Sequence, residues 1–335
     1  MNQNILGKTE ISISEIGLGT WEISGNVWGK KDDTESVRAI NIALDAGVNF
    51  IDTAAGYGNG HSEEIIGRAL RESKIGAGRV VVSTKVLPKC RKWSPPPERD
   101  IDDFFPPDWI IQQCDESLKR LQVEQIGILF LHTWSSSWAH RTEWYEAMIQ
   151  LKQQGKINAV GISISDERID EANVHVEANR VDVIQCVYNI FQQEPEYNLL
   201  PLARKKQVGI VARSPFSSGA LIGNWISNTI FPEGDWRNSW PKRVGKDNWL
   251  QEQVEMAEMV KPILTKEGIS MPIAALKFIL MNDSITSVIP GSANPEHLKI
   301  NISASAATAL STETMQALKQ LWLDRKIHGT YNGSI

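Results

Sequence analysis

The chain has little cysteine. Cys90, Cys114 and Cys186 are the only three in 335 residues. An odd, sparse set makes neither a disulfide framework nor a CxxC metal site, and a reducing, cytoplasmic setting is expected. Positive charge is not in excess either: 35 Lys and Arg stand against 40 Asp and Glu, a net charge of -5. That argues against a general nucleic-acid binder, which needs a cationic face for phosphate. Long apolar runs are missing. The greasiest stretches, 126–131 and 272–281 (the second carrying Lys277), fall short of the ~20 residues of a spanning helix. The N-terminus lacks the charged-then-apolar pattern of a secretion signal, so no membrane partner is expected. His61 lies in a Gly-rich turn and not in an HExxH helix, so no metal site is suggested. No third glycine stands in phase with Gly17 and Gly19, as the phosphate-binding turn of an open doubly wound sheet would require. Phe (8) and Tyr (5) are both outnumbered by Trp (12), an inversion that asks for a location.

What is present is alternation. Short β-like pieces around a Gly-Lys-Thr-Glu turn predict a hairpin over 5–16. Eight apolar strand candidates follow, at 15–20, 48–52, 79–85, 126–132, 157–163, 181–187, 208–213 and 285–289. Helical patterns fall between and after them, at 34–46, 62–71, 107–121, 142–154, 166–178, 196–206, 248–266, 272–282, 295–305 and 311–325. Eight βα units predict an α/β fold of the (β/α)8 TIM-barrel type with an N-terminal β-hairpin. No linker divides the chain, so residues 1–335 are expected to form one domain. Two connections, the proline-rich 86–107 and the Gly-, Ser-, Pro- and Trp-rich 214–247, are too long for plain turns. Both follow strands, which puts these long βα loops on the C-terminal face, where barrels build their sites.

Ionisable residues gather at strand ends. Asp52 ends the second strand, Lys85 the third and His132 the fourth, and Tyr57 stands five residues past Asp52. Singly, each has a bland explanation: a cap, a turn decoration, a solvated strand end, a surface histidine. Together, on consecutive strands, they converge on one mouth. The set suits proton transfer by tyrosine. A phenol has a pKa near ~10. An adjacent ammonium lowers it, and a carboxylate keeps that ammonium charged and oriented. A histidine can hydrogen-bond a carbonyl oxygen. Such a site stabilises charge growing on that oxygen as hydride adds, and the hydride must come from a cofactor, because no side chain supplies one.

The stretch GVNFIDTAAGYGNGHSEEIIGRAL (47–70), the strand VVVSTK ending in Lys85 and LFLH ending in His132 resemble the aldo-keto reductases. The likeness extends from the hairpin to IPGSANPEHLKINISA (289–304). It implies a (β/α)8 barrel that uses NADP(H) or NAD(H), a small-molecule carbonyl or alcohol substrate, and a tetrad of Asp52, Tyr57, Lys85 and His132 with Tyr57 as general acid/base. It further implies that Ser163 and Gln185 hold the nicotinamide amide, with Ile164 where the family often has asparagine. Arg213 takes the place of a tyrosine that stacks on the ring. Gly19, Thr20 and Trp21, with Ser214, Pro215, Phe216 and Gly219, would line the cofactor path. Gly291, Ser292, His297 and Asn301 would meet the adenosine. Members that prefer NADP place Lys or Arg in the segment equivalent to 291–300, because a 2′-phosphate takes charge-assisted donors. The usual basic places here hold Gly291 and His297, which leaves NAD or dual use open. The same barrel also occurs as a channel-associated β subunit, so a cofactor-binding accessory role is an alternative. A tailoring enzyme that uses the cofactor transiently on a sugar or natural product is another.

The tryptophans fall mostly on connections of the expected catalytic side, with only Trp144 and Trp322 clearly on helices. Trp21, Trp28, Trp93, Trp134 and Trp138 flank the tetrad loops and are expected to wall the substrate pocket. Flat apolar faces with an N–H donor suit a sugar-like ring or a bulky aromatic carbonyl.

Overall fold

The computed structural model of the chain describes residues 1–324 apart from Asn26, Lys30, Lys31, Ser94 and Glu167. An antiparallel hairpin comes first, β1 (Gln3–Ile5) with β2 (Ser12–Ser14). Its turn passes through Gly7 at φ +56°, where a Cβ would lie 2.4 Å from the carbonyl oxygen of Gln207. Only glycine lets the hairpin settle this closely. Leu6 and Ile13 thereby join Phe50, Ile128, Phe130 and Val211 in one apolar cluster.

Eight parallel strands form one sheet in chain order: β3 (Leu18–Gly19), β4 (Phe50–Asp52), β5 (Val81–Val86), β6 (Ile126–Leu131), β7 (Ile157–Ser163), β8 (Val183–Val187), β9 (Gly209–Arg213) and β10 (Ser287–Val288). The sheet closes on itself. Ile16 bridges Val288 and Gly19 bridges Gly291, and the Gly17 N–H donates to Val288 O at 2.8 Å. This is the expected barrel. Side chains alternate along each strand. Phe50, Ile128 and Phe130 fill the interior with the hairpin plug, while Ile51, Leu129 and Leu131 pack outward in the larger core beneath the helices.

The helices are α1 (Asp33–Asp45), α2 (His61–Glu72), α3 (Pro107–Leu121), α4 (Glu143–Gln153), α5 (Asn173–Glu177), α6 (Leu199–Lys206), α7 (Trp240–Val244), α8 (Trp249–Thr265), α9 (Met271–Leu280), α10 (Pro295–Ser303) and α11 (Thr312–Leu323). Among the described residues no helix is long and apolar enough to cross a membrane. The expected helix 166–178 is reduced to α5. Three-residue turns replace its first half, Arg168 N–H to Ser165 O at 3.3 Å and Glu171 N–H to Arg168 O at 3.2 Å. The Asp166 carboxylate is drawn instead to Arg213.

Two tryptophans are not where the sequence suggests. Trp134 and Trp138 are buried to within 2% exposure and lie outside the cavity described below. Trp138 donates its indole N–H to Arg99 O at 2.7 Å and rests on Phe104, 5.0 Å between ring centroids. It staples the proline-rich connection to the barrel. Trp134 meets Trp144 and His175 edge-on at 5.2 and 4.5 Å. Apolar burial outbids exposure for so large a ring. Trp109, Trp240 and Trp249 also sit in helices, α3, α7 and α8.

His175, set between those indoles, is fully buried, and burial pushes its pKa down to about 4, with Arg180 adding to the effect. The unfolded imidazole titrates near ~6.5. Between those values the unfolded chain binds the extra proton, so stability falls as pH drops through the window. Going from pH 7 to pH 5 should remove about 2 kcal/mol through this group. Urea unfolding at the two pH values should show a smaller loss in His175→Phe than in the wild type; equal losses would exclude this origin.

Candidate active site

A cavity of about 740 Å³ opens at the C-terminal ends of the strands. At its floor Asp52 ends β4, and its carboxylate takes three donors. Lys85 Nζ lies 2.7 Å from Oδ2. Ser83 Oγ and Gln185 Nε2 donate to Oδ1 at 2.7 and 2.8 Å. Lys85, on the neighbouring strand β5, is 1% exposed and also donates to Thr53 O at 2.7 Å. Tyr57 is brought over this pair by a tight turn. Gly58, Asn59 and Gly60 all have positive φ, 61°, 54° and 95°, and a Cβ on Gly58 would sit 2.8 Å from Ser24 O. The Gly-Asn-Gly run after Tyr57 therefore serves geometry: it folds the chain back so that α2 can start at His61. The phenol oxygen ends 3.5 Å from Lys85 Nζ.

The electrostatics differ in one respect from the sequence-based expectation. Tyr57 has its pKa raised, not lowered. Burial of the phenolate is the larger effect and Asp52 adds to it, while Lys85 and Arg213 pull the other way. Tyr57 thus holds its proton firmly at neutral pH. His132, just past β6, is pushed well below its ordinary value by burial and by the charges of Lys85 and Arg213, so its imidazole is neutral. Its Nδ1 is buried with no hydrogen-bond partner among the described residues. The ring packs edge-on to Trp93 at 4.5 Å and to Tyr57 at 5.8 Å.

Apart from Trp134 and Trp138, the remaining residues expected at the site also face this cavity, with Lys85 beneath its floor. Gly19, Thr20, Trp21, Trp28, Trp93, Ser163, Gln185, Arg213, Ser214, Pro215, Phe216, Gly219, Gly291, Ser292, His297 and Asn301 all line it. Arg213, the last residue of β9, donates to Ile164 O at 2.9 Å and pairs with Asp166. Ile164, at the place where the family often has asparagine, thus contributes its carbonyl to holding the guanidinium. Trp225, Trp236, Arg237, Asp166 and Glu22 line the cavity too; the sequence placed the two tryptophans on the catalytic side without assigning them to the site, and did not single out the other three. For the first three the signal was their place in the long connection after β9. Arg237 is held by Asp235 at 2.6 Å and lies 4.8 Å from the Trp28 ring and 4.3 Å from that of Phe231. Backbone ties cross the mouth here: Trp28 bridges Asp235, and Trp236 N–H donates to Val27 O at 2.8 Å.

With this arrangement in view, comparison with known proteins decides the family. Residues 15–323 match the Aldo/keto reductase family. The chain belongs to that family. It is 32% identical to the NADH-specific methylglyoxal reductase of Escherichia coli, over 94% of this chain and 98% of that one. It is 30% identical to the aldo-keto reductase YhdN of Bacillus subtilis, over 89% and 87%. Among solved structures it resembles the glycerol dehydrogenase AKR11B4 of Gluconobacter oxydans, with a TM-score of 0.78 and 29% identity, covering 99% of this chain and 98% of that one.

Aldo-keto reductases are oxidoreductases that use NAD(P)H, and the cavity wall has the chemistry to receive that group. Gln185 spends an amide N–H on Asp52 and its Oε1 accepts from Ser163 Oγ at 3.3 Å, which leaves that oxygen a second lone pair for the N–H of an amide ligand. Ser217, Ser218 and Gly219 all have positive φ, 44°, 61° and 113°, and the chain curls back on itself there, with the Ser217 and Gly219 N–H groups donating to Ser214 O and Phe216 O at 3.1 and 2.9 Å.

Proposed function

We propose that the chain interconverts an aldehyde or ketone and the corresponding alcohol, with NAD(P)(H) as hydride carrier and Tyr57 as general acid/base. The observation that carries this reading is the Asp52–Lys85–Tyr57 chain of contacts beneath a neutral His132. When bound, the cofactor supplies or accepts the hydride; Ser163, Gln185 and Arg213 would hold its nicotinamide end. In reduction, Tyr57 gives its proton to the carbonyl oxygen. The Lys85 ammonium, 3.5 Å away, stabilises the phenolate left behind, and Asp52 keeps that ammonium charged. His132, neutral, offers an N–H to the same oxygen without competing as an acid. In alcohol oxidation Tyr57 must first be deprotonated. Its raised pKa therefore predicts an oxidation rate that climbs on the alkaline side, while reduction stays flat around neutrality.

We assign the substrate to sugar-like or bulky aromatic carbonyls. Trp21, Trp28, Trp93 and Trp236 line the cavity, with Trp21 against Tyr57 and Trp93 against His132, and flat aromatic faces suit a ring. The test is a panel of methylglyoxal, glycerol, an aldose and an aromatic aldehyde, read by cofactor absorbance. The ring-bearing compounds should have the highest kcat/KM, and Trp93→Ala should raise their KM about tenfold, the equivalent of ~1.4 kcal/mol of lost contact. Best turnover on methylglyoxal or glycerol, indifferent to Trp21→Ala and Trp93→Ala, would overturn this substrate class. Tight cofactor binding without turnover on any compound would favour an accessory role. Product without net cofactor consumption would favour a tailoring reaction.

A further inference from the structure

A second buried ion pair lies behind the tetrad, on the helix side of the barrel wall. Glu63 stands in the first turn of α2 and is fully buried. Its Oε1 accepts the Thr84 hydroxyl at 2.6 Å, and its Oε2 accepts Arg120 Nε at 2.6 Å. Thr84 immediately precedes Lys85 on β5. Neighbouring side chains of a strand point to opposite faces, so Glu63 holds β5 from the helix side while Lys85 enters the barrel and meets Asp52. Arg120, in the last turn of α3, lies against the turn that carries Tyr57: a Cβ on Gly60 would sit 2.5 Å from its Cδ. α3 comes this near because residue 67 of α2 is also glycine, where a Cβ would be 2.7 Å from the carbonyl oxygens of Arg120 and Leu121. Ser62, next to Glu63, ties the same helix end to β4. Its hydroxyl donates to Thr20 Oγ1 at 2.9 Å and accepts from Thr53 Oγ1 at 3.0 Å, and Thr53 O is the carbonyl that receives Lys85 Nζ.

Stability alone does not call for charges here. Taking an ion pair out of water costs much of what its attraction returns, and a packed apolar pair of similar volume is often as stable. What this pair supplies is a fixed distance. Tyr57 and Lys85 come from different segments, and their 3.5 Å separation depends on how the turn 57–60 sits against β5. Arg120 backs the turn, Glu63 holds the strand, and each holds the other. Neither lines the cavity. We propose that Glu63 and Arg120 are positioning residues for proton transfer at Tyr57: their ion pair sets the spacing between Tyr57 and Lys85 from outside the cavity. The proposal rests on the reading of Tyr57 as general acid/base.

The test is the pH profile of alcohol oxidation in Glu63→Gln and Arg120→Gln, with kcat and KM separated. The charges acting on Tyr57 are Lys85 of β5, Asp52 of β4 and Arg213 of β9, with the neutral His132 edge-on to its ring. A looser contact weakens the hold of Lys85 on the phenolate. The alkaline limb should therefore move up by about half a pH unit or more in both variants, with kcat down about tenfold or more and KM within about threefold. The two substitutions delete charges of opposite sign, so a direct field effect would move the limb in opposite directions. Thr84→Val removes one hydroxyl and leaves the ion pair. It should move the limb the same way, and it serves where a charge variant fails to fold. Opposite shifts, or an unmoved limb even in a variant with a lowered Tm, would overturn the positioning role and leave the Tyr57 reading standing. A wild type without an alkaline limb, or full turnover in Tyr57→Phe, would overturn the acid/base reading itself and the positioning role with it.

Discussion

Tyr57→Phe is expected to cut turnover by ~10²–10⁴-fold, the range of a lost general acid, with the dissociation constant for the dinucleotide nearly unchanged. The substitution removes one oxygen and leaves the ring that packs edge-on to His132 and against Trp21. The Lys85–Asp52 pair at 2.7 Å stays intact beneath it. Among the described residues the phenol oxygen has one long hydrogen bond, 3.5 Å to Lys85, so its loss should cost little stability. Steady-state kinetics beside a cofactor titration would check both halves. Turnover near the wild-type level would remove Tyr57 from the chemistry.

Lys85→Met should be harsher, because it acts on folding as well as on rate. The ammonium is buried beside a carboxylate that is itself 2% exposed. Removing it leaves Asp52 with the neutral donors Ser83 and Gln185 and no buried counter-charge of its own. Breaking such a pair from one side costs about 3–5 kcal/mol. The catalytic effect follows from sign. Lys85 lowers the Tyr57 pKa both by charge and by hydrogen bond, so its loss raises that pKa further and moves the alcohol-oxidation limb to higher pH. Adding Asp52→Asn should recover much of the stability and none of the rate. A single variant as stable as wild type, with an unmoved limb, would contradict this account.

Much of the site was legible because its logic is local. An acid, a lysine and a histidine at the ends of successive strands need only the strand boundaries to be right, and the Gly-Asn-Gly run after Tyr57 reports its own turn. The barrel was legible from eight apolar segments. What stayed hidden depends on partners distant in sequence. The indole of Trp138 is committed to Arg99, and Trp134 to His175 on α5, neither of which a linear reading places nearby. Helix 166–178 lost its first half to an arginine on another strand. The direction of the Tyr57 pKa is a contest between burial and two cations, and only packing decides it. Glu22 was invisible because the Ala293 N–H that it accepts is 271 positions away.

The closing line of the barrel has a consequence of its own. β3 and β10 are two residues each, and they meet through isolated bridges, not a full ladder. The barrel is therefore closed by few bonds, and the segments 19–22 and 291–301 beside them form opposite banks of the cavity. A molecule lying across both banks is a clasp on that joint. It binds the closed form and not the open one, so it draws local opening and ligand release into a single equilibrium.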